Sequence, residues 1–234
     1  MPCDDPAGRS PPGARRTDNR DVSDNELAQH WEARYGEKDR IWSGAPNASL
    51  VSVLEHLPAG TAIDLGAGEG GDALWLAERG WRVTAYDIST TALSRLEQTA
   101  AGRNVADRIT TVVGDLADAP IDGTVDLVAA SFLHSTVEIP RTQILRRFAE
   151  AVNPGGHLFV LGHATPPPWA SPEMHQHAAH FIGPHEEVEQ LDLDPAVWSV
   201  EVADLRQREV TDPDGNPATI DDSVVLMRRV SPGS

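Results

Sequence analysis

The stretch AIDLGAGEGGDALWLAERGWRVTAYDIS, residues 62–89, sets the frame for the rest of the chain. TAIDLG, residues 61–66, is a short apolar run that ends in glycine and predicts a buried strand. GGDALWLAERG, residues 70–80, has helical spacing and a terminal Gly stop, and RVTAYDI, residues 82–88, predicts a second strand. Strand, glycine turn, helix and strand make one βαβ unit. Its turn carries two overlapping patterns: Gly66-x-Gly68-x-x-Gly71, with Asp87 about twenty residues on, and Asp64-x-Gly66-x-Gly68-x-Gly70.

Outward from this unit the same rhythm continues. STTALSRLEQTAAGR predicts a helix, ITTVVGD and VDLVAASF predict strands, PRTQILRRFAEAVNPGG a helix with a Pro-Gly stop, and HLFVLGH a strand. NPGG supplies a tight turn just before that strand. WSVEVADLRQREV and DDSVVLMRRV follow with only Asp214-Gly215-Asn216 as a turn-former and no helix between them, so they predict an antiparallel hairpin. The fold class expected is α/β: a Rossmann-like, seven-stranded, mainly parallel sheet with helices on both faces and an antiparallel C-terminal hairpin. Upstream, SDNELAQHWEARYGE predicts a helix capped by Ser23 with Glu26 in a capping box, and NASLVSVLEHLPAG a helix capped by Asn47. Residues 1–20, rich in Pro, Gly, Arg and Asp, are expected to be a disordered tail. Residues 21–234 are then one domain, with 21–60 as an N-terminal helical lid and 163–196 as a His- and Pro-rich substrate lid.

The two glycine patterns imply different ligands. Both let the backbone turn sharply and approach a ligand closely. A dinucleotide such as NAD would place a pyrophosphate at the helix N-terminus, and the Asp64 carboxylate would repel it. S-adenosylmethionine carries a sulfonium and an ammonium instead, and Asp64 at the tip of the first strand attracts both. Asp87, ending the second strand, suits the ribose hydroxyls of either ligand. Asp115 in VVGDL is placed to accept from an adenine amino group, with Leu116 beside the ring.

DLGAGEG, YDIS, GDL and NPGG stand in an order and spacing that resemble the class I S-adenosylmethionine-dependent methyltransferases over roughly residues 25–230. The segment WEARYGEKDRIWSGAPNASLV is similar to the tellurite-resistance and thiopurine methyltransferase branch. The resemblance implies S-adenosylmethionine as cofactor, held by Asp64, Gly66, Gly68, Gly70, Asp87, Ile88, Asp115, Leu116 and Ser131. It also implies that the N-terminal segment closes over the cofactor, with Tyr35 and Trp42 near its methionine end or sulfonium. An NAD-binding protein, or a cofactor-binding protein without transfer activity, is the alternative.

AASFLHS replaces the Asn/Asp-Pro-Pro-aromatic motif that family members acting on amide or exocyclic nitrogens often carry after the fourth strand. Nucleobase and glutamine substrates are therefore disfavoured. His134, just past that strand, is the candidate proton acceptor. His163, Trp169, His177 and His180 are candidate substrate contacts in the lid. No metal is expected; were one bound, His175, His177 and His180 would be its ligands, although a helix would point His175 away from His177. The acceptor expected is a small molecule with a thiol or other soft nucleophile. An oxygen or nitrogen acceptor of a natural-product pathway is the alternative.

Composition narrows this further. A net charge of −17, with twelve Asp or Glu against two Arg over residues 185–222, disfavours a nucleic-acid partner. No apolar run is long enough to span a bilayer, no secretory leader is evident, and Cys3 is the lone cysteine. A cytoplasmic protein without membrane partners is expected.

Overall fold

The computed structural model describes residues 19–170 and 181–230, with side chains from residue 26 onward in the first helix. Seven strands form one sheet: β1 (Thr61–Leu65), β2 (Arg82–Asp87), β3 (Ile109–Val113), β4 (Val125–Ser131), β5 (Val152–His163), β6 (Trp198–Thr211) and β7 (Pro217–Arg229). Their order is β3-β2-β1-β4-β5-β7-β6. The first five run parallel, and β7 pairs antiparallel with both β5 and β6. The chain steps outward from β1 to β3 and returns to β4 on the other side of β1. The switch point of the sheet therefore lies between the ends of β1 and β4, where an open α/β sheet has its crevice.

Six α-helices are described: α1 (Asn19–Gly36), α2 (Ala48–Leu54), α3 (Gly71–Glu78), α4 (Thr90–Gly102), α5 (Arg141–Ala149) and α6 (Pro184–Leu191). Alternation along the strands sorts them onto two faces. Ala62, Ala85, Ala129, Phe159 and Leu161 pack with Leu50 and Leu54 of α2, Leu74 and Leu76 of α3, and Leu93 and Leu96 of α4. Ile63, Leu65, Tyr86, Val128 and Val160 pack with Leu145 and Phe148 of α5 and Leu191 of α6. Ser89 caps α4 by accepting from the amide of Ala92.

Three local expectations are corrected. Ser23 lies inside α1, which begins at Asn19. Residues 19–22 contain neither Pro nor Gly, so nothing there stops the helix from extending back past the Ser. The helix therefore reaches into the tail expected at 1–20, whose first eighteen residues lie outside the described ones. Asn47 does precede α2, but its side chain makes no cap bond. Its amides go instead to Asp72, at 2.7 and 2.9 Å. NPGG does not precede β5 but lies within it, where the β4–β5 register shifts between Val125 and Leu127. Asn153 donates to Asp126 at 2.9 Å, and Gly155 takes φ 86°, so the turn residues form a bulge in the strand.

Candidate active site

The glycine turn leaves β1 at Leu65 and enters α3 at Gly71. Gly70, the residue before the helix, has φ 85°, and a Cβ on it would sit 2.1 Å from Leu96 Cδ1. At Gly68, with φ 55°, a Cβ would meet the Tyr35 hydroxyl at 2.8 Å. Glycine is thus required where the first turn of α3 meets α4 and where an N-terminal strap crosses the loop.

That strap, residues 35–47, is tied down by two acids of the turn. Buried Glu69 accepts from the amide of Ile41 at 3.1 and 3.2 Å and from the amide of Trp42 at 2.9 Å. It also accepts from Arg95 Nη1 of α4 at 2.8 Å. Arg95 Nη2 in turn donates to the carbonyls of Tyr35 and Lys38. Asp72 holds Asn47. The Trp42 indole donates to the Tyr35 hydroxyl at 3.2 Å, and burial pushes the Tyr35 phenol up from its ordinary value. Tyr35 is buried, whereas Trp42 remains 47% exposed. The structure thus brings Tyr35 and Trp42 onto the glycine loop. Glu69 and Arg95, which hold them there, were not singled out from sequence. Glu69 reads as one more loop residue, and Arg95 is 26 positions away.

The acids of the turn are strongly buried. Asp87 ends β2 and accepts from the amide of Gly68 at 2.8 Å through Oδ2 and from the amide of Ser89 at 2.8 Å through Oδ1. Burial raises its pKa against those hydrogen bonds. With the Ile88 amide as a third donor, the carboxylate still has acceptor capacity left for a ligand. Asp64 is more extreme. Burial, and then the nearby charges of Asp72 and Asp87, push its pKa well above the usual carboxylate range. Its Oδ2 has no hydrogen-bond partner among the described residues, nor has Ser131 Oγ at the end of β4. An acid buried beside two others favours a cationic ligand. An ammonium or sulfonium suits this cluster of acids in charge; a pyrophosphate does not. Asp115 and Leu116 follow β3. Asp115 accepts from the amide of Ala117 at 2.8 Å, and the buried Leu116 lends its carbonyl to Arg147. Ile88 is half-buried between Asp87 and Ser89.

Beyond β4 the chain turns through Phe132, whose φ is 51°. Leu133 lies against the Gly66 turn, 2.9 Å from where a Cβ on that glycine would stand. His134 borders a cavity of about 260 Å³ together with Pro140, Arg141 and Thr142 of the α5 start, Ile182, and Gln190 of α6. Arg141 pairs with buried Glu187 at 2.8 Å and so fixes α6 against α5. The His163 and His134 rings stack at 6.4 Å between centroids. Trp169 is partly exposed on the segment after β5. His175, His177 and His180 lie outside the described residues. Among the described residues no cluster of His, Cys, Asp or Glu is built to hold a metal. No described helix is long and apolar enough to cross a membrane.

Residues 62–156 match the family described as Methyltransferase domain. The chain is 36% identical over 122 residues to a cypemycin N-terminal methyltransferase of Streptomyces sp, covering 50% of this chain and 48% of that protein. It is 36% identical over 106 residues to the ribosomal RNA small subunit methyltransferase C of Alcanivorax borkumensis, covering 44% of this chain and 32% of that one. The chain thus spans about half the length of the first of these curated relatives and a third of the second. Among solved structures, one described for conversion of a disulfide bond into a thioacetal group during echinomycin biosynthesis superposes with TM-score 0.68 at 24% identity, over 88% of this chain and 94% of that one. TehB from Haemophilus influenzae gives 0.63 at 20%, over 85% and 66%. The N-methyltransferase NodS from Bradyrhizobium japonicum WM9, in complex with S-adenosyl-L-homocysteine, gives 0.63 at 16%, over 87% and 98%. At these identities the three structures speak for the fold, TehB included. Residues 62–156, which hold the glycine turn and the acids that line it, thus match a methyltransferase domain, and the chain folds as these three structures do.

Proposed function

We propose that this chain transfers the methyl group of S-adenosylmethionine to a small-molecule nucleophile. The observation that carries this is Asp64, buried and with one oxygen unpartnered at the mouth of the glycine turn. Asp64 would face the cationic methionine end. Asp87 would take the ribose hydroxyls and Asp115, with Leu116, the adenine. Gly66, Gly68 and Gly70 would let the backbone approach, with Ile88 and Ser131 completing the lining. Tyr35 and Trp42 would cover the cofactor from the strap. When bound, S-adenosylmethionine supplies an electrophilic methyl carbon; the protein contributes alignment and exclusion of water.

The acceptor site would be the cavity beside His134, with His163 at the end of β5 and Trp169, His177 and His180 from the segment after it as contacts. His134, three residues past the end of β4, is a titratable group bordering that cavity. A thiol or other soft nucleophile would need little help with its proton, whereas an oxygen or nitrogen acceptor would need a base. A relative acts on ribosomal RNA by its name, but the net charge of −17 opposes a phosphate backbone here. We place the activity in the cytoplasm, without metal or membrane partners. Incubation with S-adenosylmethionine and a panel of thiols, phenols and amines should release S-adenosylhomocysteine with at least one class. Cofactor binding without release across the panel would favour a sensor or partner subunit.

A further inference from the structure

A polar group that the sequence does not bring together stands where β4, β5 and the hairpin meet. His163, the last residue of β5, pairs in register with Asp222 of β7. Its Nδ1 lies 3.3 Å from Asp222 Oδ1. Arg208 of β6 donates to the same carboxylate from Nε at 2.8 Å and from Nη2 at 3.3 Å. Asp222 is buried. Burial would raise its pKa, but the hydrogen bonds from His163 and Arg208 outweigh this and hold it below the usual carboxylate range. It is therefore ionised and can only accept. The His163 Nδ1 must then carry the hydrogen, which leaves Nε2 as the basic nitrogen of the neutral ring.

The surroundings are built around that ring. Phe132 lies 4.4 Å from it, centroid to centroid, and is held there by a left-handed backbone that a non-glycine residue rarely adopts. Such strain persists only where the neighbouring structure enforces it, and it concentrates at working sites. Phe181 stands 6.5 Å away on another side, His134 is stacked at 6.4 Å, and Arg208 lies over the Phe132 ring. One third of the His163 side chain is exposed, so a ligand can reach it. His134, by contrast, turns Nε2 toward the β5 backbone, 3.2 Å from where a Cβ on Gly162 would stand. His163 has the buried carboxylate of Asp222 behind it.

We propose that His163 is the general base of the transfer, with Asp222 as its positioning residue, and that the acceptor is a neutral hydroxyl, a phenol or enol. This rests on the methyltransferase reading above. Arg208 already neutralises Asp222, so no net negative charge is left to attract an ammonium acceptor. A thiol, acidic enough to ionise by itself, would not need the pair. In the step, a lone pair of the acceptor oxygen forms the new O–C bond to the methyl carbon. The C–S bond breaks with its pair going to sulfur, which becomes the neutral thioether of S-adenosylhomocysteine. The hydroxyl proton passes to His163 Nε2, and the imidazolium so formed is stabilised by Asp222.

The test has one arm without turnover and one with it. In ¹⁵N-labelled protein, long-range ¹H–¹⁵N spectra at neutral pH should show His163 as the Nδ1–H tautomer, and Asp222→Asn should abolish that preference. In turnover with S-adenosylmethionine, the probes are substituted phenols of graded acidity, with thiophenol as comparator. His163→Gln should lower kcat/KM at least 100-fold for the least acidic phenols, progressively less for the more acidic ones, and under threefold for thiophenol. Added imidazole should restore part of the phenol rate in His163→Ala. An Nε2–H tautomer in the wild type, equal losses with phenols and thiophenol, or no phenol methylated while S-adenosylmethionine binds, would each overturn the assignment. Calorimetry keeps failure of the cofactor reading separate: that reading falls if S-adenosylmethionine does not bind, and the tautomer arm still decides the pair.

Discussion

At the scale of single residues, Asp64 shows how a site can oppose the stability of its own fold. Its carboxyl is buried among like charges, and its pKa is raised well above the ordinary value. A raised carboxylate binds its proton more tightly folded than unfolded. Its contribution therefore destabilises the free protein progressively as pH rises above the unfolded value. Asp64→Asn should raise the melting temperature of the free protein at neutral pH by roughly 2–4 °C, the shift expected for about 1 kcal/mol in a domain of this size. The same variant should weaken S-adenosylmethionine by ~1–3 kcal/mol, the range for a buried polar partner left unmade. Scanning calorimetry with and without cofactor reads both effects, and opposite signs are expected. Asp87→Ala should weaken the cofactor by a similar ~1–3 kcal/mol. It should also lower stability, because Asp87 holds the amides of Gly68 and Ser89 in the free protein. Asp64 could be singled out in sequence because its position before the glycines discriminates between two ligand charges. Asp222 could not. An acid in an acidic hairpin reads as surface until register places it opposite His163.

At the scale of elements, the strap over the glycine loop carries the most testable contact. Sequence suggested that residues 21–60 cover the cofactor, but the fastening is a long-range ion pair that no local pattern announces. Glu69 is buried and Arg95 partly so, at 2.8 Å. Removing one partner strands the other and the two amides bound to it. Arg95→Ala should cost about 2–3 kcal/mol, below the full buried-pair range because Arg95 is partly exposed. It should also speed hydrogen exchange at the amides of Ile41 and Trp42 while leaving those of β1 slow. Unchanged protection at Ile41 and Trp42 would mean the strap is held by other contacts. The strands and most helices were legible from period and punctuation alone. The starts of α1 and β5 were not: a Ser can cap a helix or sit inside one, and Asn-Pro-Gly-Gly can end a strand pairing or bulge within it.

At the scale of the whole molecule, the seven-stranded order with its reversed β7 follows from two features of the sequence: the βα alternation up to β5 and the missing helix between the last two strands. What alternation cannot specify is which strand the hairpin joins. The structure inserts β7 beside β5, and that choice brings Asp222 and Arg208 to the end of β4. The acidic balance is also a property of the whole. With a net charge of −17, the protein should show no salt-sensitive retention of ribosomal RNA fragments in a mobility-shift assay near physiological ionic strength. Retention that weakens steeply with salt would reopen a nucleic-acid substrate. The central claim, that the turn at 64–71 holds a cationic rather than a phosphorylated ligand, is tested most directly by titration calorimetry of the full chain with S-adenosylmethionine and with NAD. One saturable site is expected for S-adenosylmethionine, weakened in Asp64→Asn, with no measurable heat from NAD; saturable NAD binding with none for S-adenosylmethionine would contradict it.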